Sequence, residues 1–277
     1  MSKQDKIAVL IDAENVSNKY IKLIMDEVNN YGIATYKRVY GDYSNPSVMA
    51  WMKNLQEYAL TPALQCNYTS GKSASDSALI IDAMDILYSG KVSAFCLVSS
   101  DSDFTKLAMR LKEAGMNVIG MGEGKTPKSL VSACETFKYL DILYREEALA
   151  EAEAEAVVED KIAEKDKTTK RVTTQEKKHE VAQDIEEAAE EIVSIPTLSD
   201  IEKEVISIIS TNAEENGWIN IAELGVNLSK RVPGFDPRNY KCRKLSALLE
   251  KINLIELNTV ENPHNSLLKI VYAKIKD

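Results

Sequence analysis

IAVLIDAEN, residues 7–15, is the stretch from which the fold is read. Five apolar residues in a row, Ile7–Ile11, run directly into Asp12, and Asn15 follows three positions later. A continuous apolar run suits a strand with both faces covered, as in a parallel sheet; an alternating run would suit a half-exposed one. A carboxylate placed straight after such a strand stands at the sheet's carboxyl edge. Open α/β sheets collect their functional groups there.

Working outward, the same grammar recurs. Ala94–Val98 reads as a second buried strand, and SSDSDF (99–104) places Asp101 and Asp103 just beyond it, at the start of a helix over Asp103–Ala114. Helices are predicted over Asn18–Asn30, from Pro46, over Ser75–Tyr88 and from Pro127–Ser129. Further strands are predicted at Thr35–Tyr40, Leu64–Tyr68 and Asn117–Met121. This β/α alternation predicts an α/β domain over residues 1–144, with a central parallel sheet flanked by helices.

The net charge of -9 is unevenly distributed. Residues 1–144 carry 15 Lys+Arg against 16 Asp+Glu, residues 145–196 carry 8 against 16, and residues 197–277 carry 11 against 11. The acidity belongs to the middle segment and does not argue against nucleic acid as a partner of the two ends. That segment, 145–197, lacks aromatics and is rich in Glu, Ala and Lys. It reads as a charged linker, partly helical or disordered, with a coiled coil as the alternative. No apolar run approaches a membrane span or a signal-peptide core, and none of Cys66, Cys96, Cys134 and Cys242 forms a CxxC pair. A soluble protein of the reducing cytoplasm is expected.

Residues 198–277 show a third pattern. Helices are predicted over Ile201–Glu215, capped by Ser199 or Asp200, over Asn220–Val232, and from Pro237 to about Ile252. Strands at Leu254–Leu257 and Leu268–Tyr272 follow. Three helices and a hairpin make a small winged helix-turn-helix domain. Residues 230–251 hold seven Lys and Arg against Asp236 and Glu250. Lys241, Lys244 and Lys251 would share one flank of the third helix, open to phosphates, with Arg238 and Arg243 beside them. Tyr240 is either a base-stacking or a core residue.

The carboxylates of the first domain carry the chemistry. On a helix over Ser75–Tyr88, at about 100° per residue, Asp76 heads a stripe of Leu79, Ile80, Ala83 and Leu87. Asp82 falls about 120° away and Asp85 about 180° away. Asp12, Asp76 and Asp101, supported by Asn15 and Asp103, would then converge at one sheet edge. Like charges in one place are tolerated chiefly when a cation joins them, and all-oxygen donors suit Mg²⁺ or Mn²⁺. Taken singly, Asp76 and Asp103 would also serve as helix caps and Asp12 as a turn residue. The run Gly120–Thr126 resembles a phosphate-binding loop, but its glycines are one residue too close, and it reads as a turn ending a strand.

IAVLIDAEN, SASDSALIIDAMD (73–85), CLVSSDSDF (96–104) and VIGMGEGKTPKSLVSACETF (118–137) follow in order the landmarks of NYN domains, which are PIN-like. The resemblance covers roughly residues 5–144. It implies a metal-dependent ribonuclease whose metal ligands are Asp12, Asp76 and Asp101, with Asn15, Asp103 and an acid at Asp82 in support. The family often has Gly where Ser100 and Ser102 stand, and Asp where Glu135 stands. RVPGFDPRNYKCRKLSALLEKINLIEL (231–257) resembles the LOTUS, or OST-HTH, domain over about residues 198–275. That implies RNA binding or, in some relatives, protein docking. The expectation is a Mg²⁺- or Mn²⁺-dependent ribonuclease that captures RNA through its C-terminal module. The rivals are an inactive RNA-binding regulator, a protein-docking adaptor and, more weakly, a metal-dependent phosphatase.

Overall fold

The computed structural model describes residues 5–65, 74–150, 195–214, 216–262 and 265–276. The linker over 151–194 and the end of the strand expected at Leu64–Tyr68 lie outside them.

Six parallel strands form the first sheet: β1 (Lys6–Asp12), β2 (Ile33–Asp42), β3 (Thr61–Gln65), β4 (Ala94–Val98), β5 (Asn117–Gly122) and β6 (Thr136–Tyr139). Their order is β3-β2-β1-β4-β5-β6, so the direction of winding reverses between β1 and β4. The continuous apolar runs are explained by two cores. Ile7, Val9 and Ile11 face α1 (Ile21–Tyr31) and the helical segment 140–150, whose Leu140 and Leu143 join them. Ala8 and Leu10 face α4 (Ala74–Ser89) and α5 (Thr105–Glu113) on the other side. Short helices α2 (Pro46–Met49) and α3 (Met52–Leu55) follow β2, and α6 (Lys128–Ala133) follows β5. Strand β6 and the 140–150 helix were not predicted: β6 is only four residues long, too short for a periodicity signal.

The register of α4 departs from expectation. Its buried residues are Ser75, Leu79, Ala83 and Ile86, a stripe headed by Ser75 and not by Asp76. At about 100° per residue this leaves Asp76 and Asp82 on opposite flanks of the stripe, each about 60° from its middle. Two polar strand residues account for the rotation: Arg38 and Tyr40 of β2 both donate to the Asp82 carboxylate.

In the C-terminal domain, α7 (Leu198–Asn212), α8 (Ile221–Arg231) and α9 (Leu245–Glu250) pack on a sheet of order β7-β9-β8, built from β7 (Ile219–Asn220), β8 (Ile255–Asn262) and β9 (Asn265–Ile275). This is the expected winged helix-turn-helix. Thr197, rather than Ser199 or Asp200, caps α7; it forms a capping box with Asp200. The expected single helix from Pro237 to Ile252 is broken. Residues Pro237–Tyr240 form one 3-10 turn, Lys241 adopts a left-handed conformation (φ 56°), and α9 starts only after Lys244. The break lets Cys242 enter the core while its N–H is satisfied by the Pro237 carbonyl, at 3.1 Å.

The two domains touch. The Phe137 N–H on β6 donates to the Pro233 carbonyl at 2.6 Å. Gly234 lies so close to Tyr139 that a Cβ there would sit 2.9 Å from its hydroxyl oxygen. The outer edge of the sheet is therefore covered from within the chain.

Candidate functional site

Asp12 ends β1, and register pairs Ile11 with Val98, so Ser99 of the next loop stands alongside it. The Asp12 side chain is buried, with 2% exposure, as is Ser99. Ser99 Oγ donates to Asp12 Oδ2 at 2.7 Å, and Asn15 Nδ2 donates to the same oxygen at 2.8 Å. The backbone N–H groups of Glu14 and Asn15 donate to Oδ1 at 3.1 and 3.3 Å. Burial pushes the Asp12 carboxyl up from 3.8, and these four donors only partly offset it. All four of these donors are neutral.

Asp101 is joined to Asp12 through the same hydroxyl: its N–H donates to Ser99 Oγ at 3.0 Å. The Asp101 side chain caps the 3-10 turn Ser102–Phe104, accepting from the Asp103 N–H at 2.9 Å. Asp101 is half-buried and Asp103 exposed. Both thus stand where expected, beyond the carboxyl end of β4. Asp101 also has the capping role weighed for its neighbour. Asp76 lies half-buried in the first turn of α4. Because α4 returns across the sheet after β3, that turn belongs to the same edge.

Asp82 does not join this group. It is held on the sheet face by Arg38 and Tyr40, and the phenol is pushed up by burial and by that carboxylate. Asp85 is exposed. The glycine-rich run is a turn: a Cβ on Gly122 would lie 2.7 Å from the Ser99 carbonyl oxygen and from Thr126 Oγ1. Glycine there lets the β5 turn close onto the loop that carries Ser99. The turn is held further by the Glu123 N–H donating to Ser100 Oγ at 2.9 Å, and by the Gly124 N–H donating to Asp141 at 3.0 Å. Burial pushes Asp141 up as well. Ser99 and Asp141 were missed from sequence. A serine among three serines has no distinguishing signal, and Asp141 lies outside the strand-end positions the pattern picks out.

Among the described residues, no three His, Cys, Asp or Glu side chains form a ready-made ion cluster. The donor set nonetheless fits a hard divalent cation. Asp12, Asn15, Asp76 and Asp101 offer oxygens, and the buried Asp12 charge is under-compensated by its hydrogen bonds. A cavity of about 700 Å³ lies elsewhere, on the seam between the domains beside Asn30, Thr136, Val226 and Ser229. None of the candidate metal carboxylates lines it.

The basic surface divides into two. Arg238 faces inward: its Nη2 lies 2.7 Å from Glu27 and 2.8 Å from Asp236, and its Nε donates to Asp236 at 3.0 Å. Tyr240 is half-buried against Phe235 and donates to the Pro196 carbonyl at 2.9 Å, taking the core role of the two considered. Lys241, Arg243, Lys244 and Lys251 are exposed. They do not share a helix flank as expected, because the helix is broken at Lys241. Lys251 also donates to the Tyr240 carbonyl at 3.1 Å.

Lys138 completes a ring around Arg238. Its Nζ lies 2.6 Å from Asp236 and 3.9 Å from Glu27. Glu27 and Lys138 come from the first domain, Asp236 and Arg238 from the second, and the charges alternate. Burial by itself would raise Asp236, but Arg238 and Lys138 outweigh it and hold the carboxyl down at about 2.

Residues 6–141 match the family model for the NYN domain, and residues 196–267 match that for the OST-HTH/LOTUS domain. Among solved structures, the chain is similar to a protein of unknown function from Vibrio parahaemolyticus. The two share 19% identity with a TM-score of 0.42, over 50% of this chain and 93% of that one. No curated protein matches it.

Proposed function

Since the chain carries an NYN domain, a PIN-like nuclease-type module, followed by an OST-HTH/LOTUS domain, an RNA-binding module, we propose that it is a divalent-metal-dependent ribonuclease. The observation that carries this reading is Asp12. It is a buried carboxylate at the point where strand order reverses, coupled through Ser99 to Asp101. A buried carboxylate held only by neutral donors among the described residues is costly to ionise in a purely structural role.

Asp12, Asp76 and Asp101 would hold Mg²⁺ or Mn²⁺, which when bound offsets charge on a phosphate and acidifies water. The chain's own contribution is positional. Ser99 and Asn15 fix the Asp12 carboxylate in one rotamer, and the Ser99 hydroxyl sets the spacing between Asp12 and the Asp101 backbone. Asp103 adds a further negative charge at the mouth of the edge. RNA is captured by Lys241, Arg243, Lys244 and Lys251, which supply positive charge to backbone phosphates without reading bases. Among the described residues no helix is long and apolar enough to cross a membrane.

The test is to incubate the full chain with single-stranded and structured RNA, with Mg²⁺, with Mn²⁺ and with chelator, beside Asp12→Asn. Metal-dependent cleavage lost in the variant supports the reading. Cleavage that survives Asp12→Asn or chelation refutes it.

A further inference from the structure

The segment 233–244 faces three ways. Pro233, Gly234, Asp236 and Arg238 touch the first domain. Phe235 and Cys242 enter the core of the second, and Tyr240 packs half-buried against it. Lys241, Arg243 and Lys244 face solvent. The segment is also held on itself. The Asn239 side chain donates to the Gly234 carbonyl at 2.9 Å, and Asp236 accepts from the Arg238 N–H at 2.9 Å. At its turning point Lys241 takes a left-handed backbone conformation, which an L-residue with a side chain adopts only under local constraint.

The constraint includes the other domain. The Glu27, Lys138, Asp236 and Arg238 ring is well shielded: the Lys138, Glu27 and Asp236 side chains are 11%, 7% and 7% exposed. Such a ring is favourable only when complete, since removing one member strands the others in a dry environment. Asp236 and Arg238 lie within five residues of Lys241, on the same short turn. Whatever orders the turn for one contact lowers the entropy to be lost on making the other.

We propose that docking onto the first domain pre-orders the 233–244 segment for RNA, so that RNA binding at Lys241 and Lys244 and domain docking through Glu27 and Lys138 stabilise one another. This rests on the reading of Lys241 and Lys244 as RNA contacts. The coupling is a thermodynamic cycle, so it is reciprocal: RNA should tighten docking by the same factor by which docking tightens RNA.

The experiment uses the full chain in chelator, to prevent cleavage, with a fluorescein-labelled single-stranded RNA. Glu27→Gln and Lys138→Met alter only the first domain and touch no proposed RNA contact; Lys138→Arg is the conservative control. Two quantities are read, the Kd for RNA and hydrogen exchange at the Phe137 amide, which docking protects through Pro233. Glu27→Gln and Lys138→Met should each weaken RNA binding by about tenfold and speed Phe137 exchange, while Lys138→Arg stays near wild type. In the wild-type chain, which needs no variant to fold, RNA should slow Phe137 exchange. Variants that exchange faster at Phe137 yet bind RNA like wild type overturn the coupling, as does wild-type exchange indifferent to bound RNA. If wild type binds no RNA at low salt, the RNA-capture reading fails first and takes the coupling with it.

Discussion

Two groups of buried charge in this chain are resolved in opposite ways. At the carboxyl edge, Asp12 is buried among neutral donors and burial raises its carboxyl. On the domain seam, Asp236 is buried as deeply, yet Lys138 and Arg238 hold it near 2. Among the described residues the first carboxylate is held by neutral donors only, and the second by two cations. On the proposed reading, burial among neutral donors is what a cation at the edge would relieve, whereas burial between two cations is already relieved within the fold. The contrast separates the two groups where residue type cannot, since each is centred on a buried aspartate.

The largest effect expected from this contrast is on cleavage. Asp12→Asn should lower kcat by at least about a hundredfold, because it removes the carboxylate proposed to hold the metal. Its far-UV circular dichroism should match wild type. An unfolded variant would instead class Asp12 with the scaffold.

On the seam, the effect should appear in stability and with a definite pH sign. The folded carboxyl of Asp236 lies below the ordinary 3.8, so its contribution is fully present above 3.8 and is lost as pH falls through that value towards about 2. The shift corresponds to roughly 2 kcal/mol. Thermal melts should show wild type losing its advantage over Asp236→Asn across that window. Asp12 carries the opposite sign, since its folded carboxyl is raised. Its contribution to the metal-free fold is present below 3.8 and is lost as pH climbs through the raised value. A divalent ion should reverse that loss, and melts with and without Mn²⁺ would read it.

A smaller effect separates the two aspartates of α4. Asp82→Asn should cost about 1–2 kcal/mol, because it removes the charge and one of the two acceptor oxygens that Arg38 and Tyr40 share. Cleavage per folded molecule should be unchanged. Asp76→Asn should do the reverse, lowering kcat with little change in melting temperature. Equal kinetic damage from both would place Asp82 at the site after all. Smallest of all is Asp85→Asn, exposed on α4 and expected within about 0.5 kcal/mol of wild type.

Most of the first domain was legible from sequence because its strands are buried on both faces and therefore written as unbroken apolar runs. Ile7–Ile11 and Ala94–Val98 needed no tertiary information. The placement of Asp12, Asp101 and Asp103 beyond them followed from the geometry of parallel sheets. The α4 register was misread because the stripe counted apolar residues only, whereas the true stripe is headed by the polar Ser75 and flanked by Asp82, matched by Arg38 on a strand 44 residues earlier in the chain. The third helix of the C-terminal module was misread for a related reason. Its residues suit a continuous helix locally, and only the burial of Cys242 and the docking of Asp236 and Arg238 break it.

By itself, then, the sequence determined an α/β and a winged-helix domain, the parallel sheet, and the edge beyond which Asp12 and Asp101 stand. Those properties follow from periodicity and strand ends, which are local. Tertiary structure alone decided which charges are paired. Ser99 bridges Asp12 and Asp101 because β1 and β4 are neighbours. Arg238 turns inward because Asp236 stands beside it and Glu27 waits across the seam. Pairing depends on distance in space between residues up to 211 positions apart, and a charge's meaning changes with its partner.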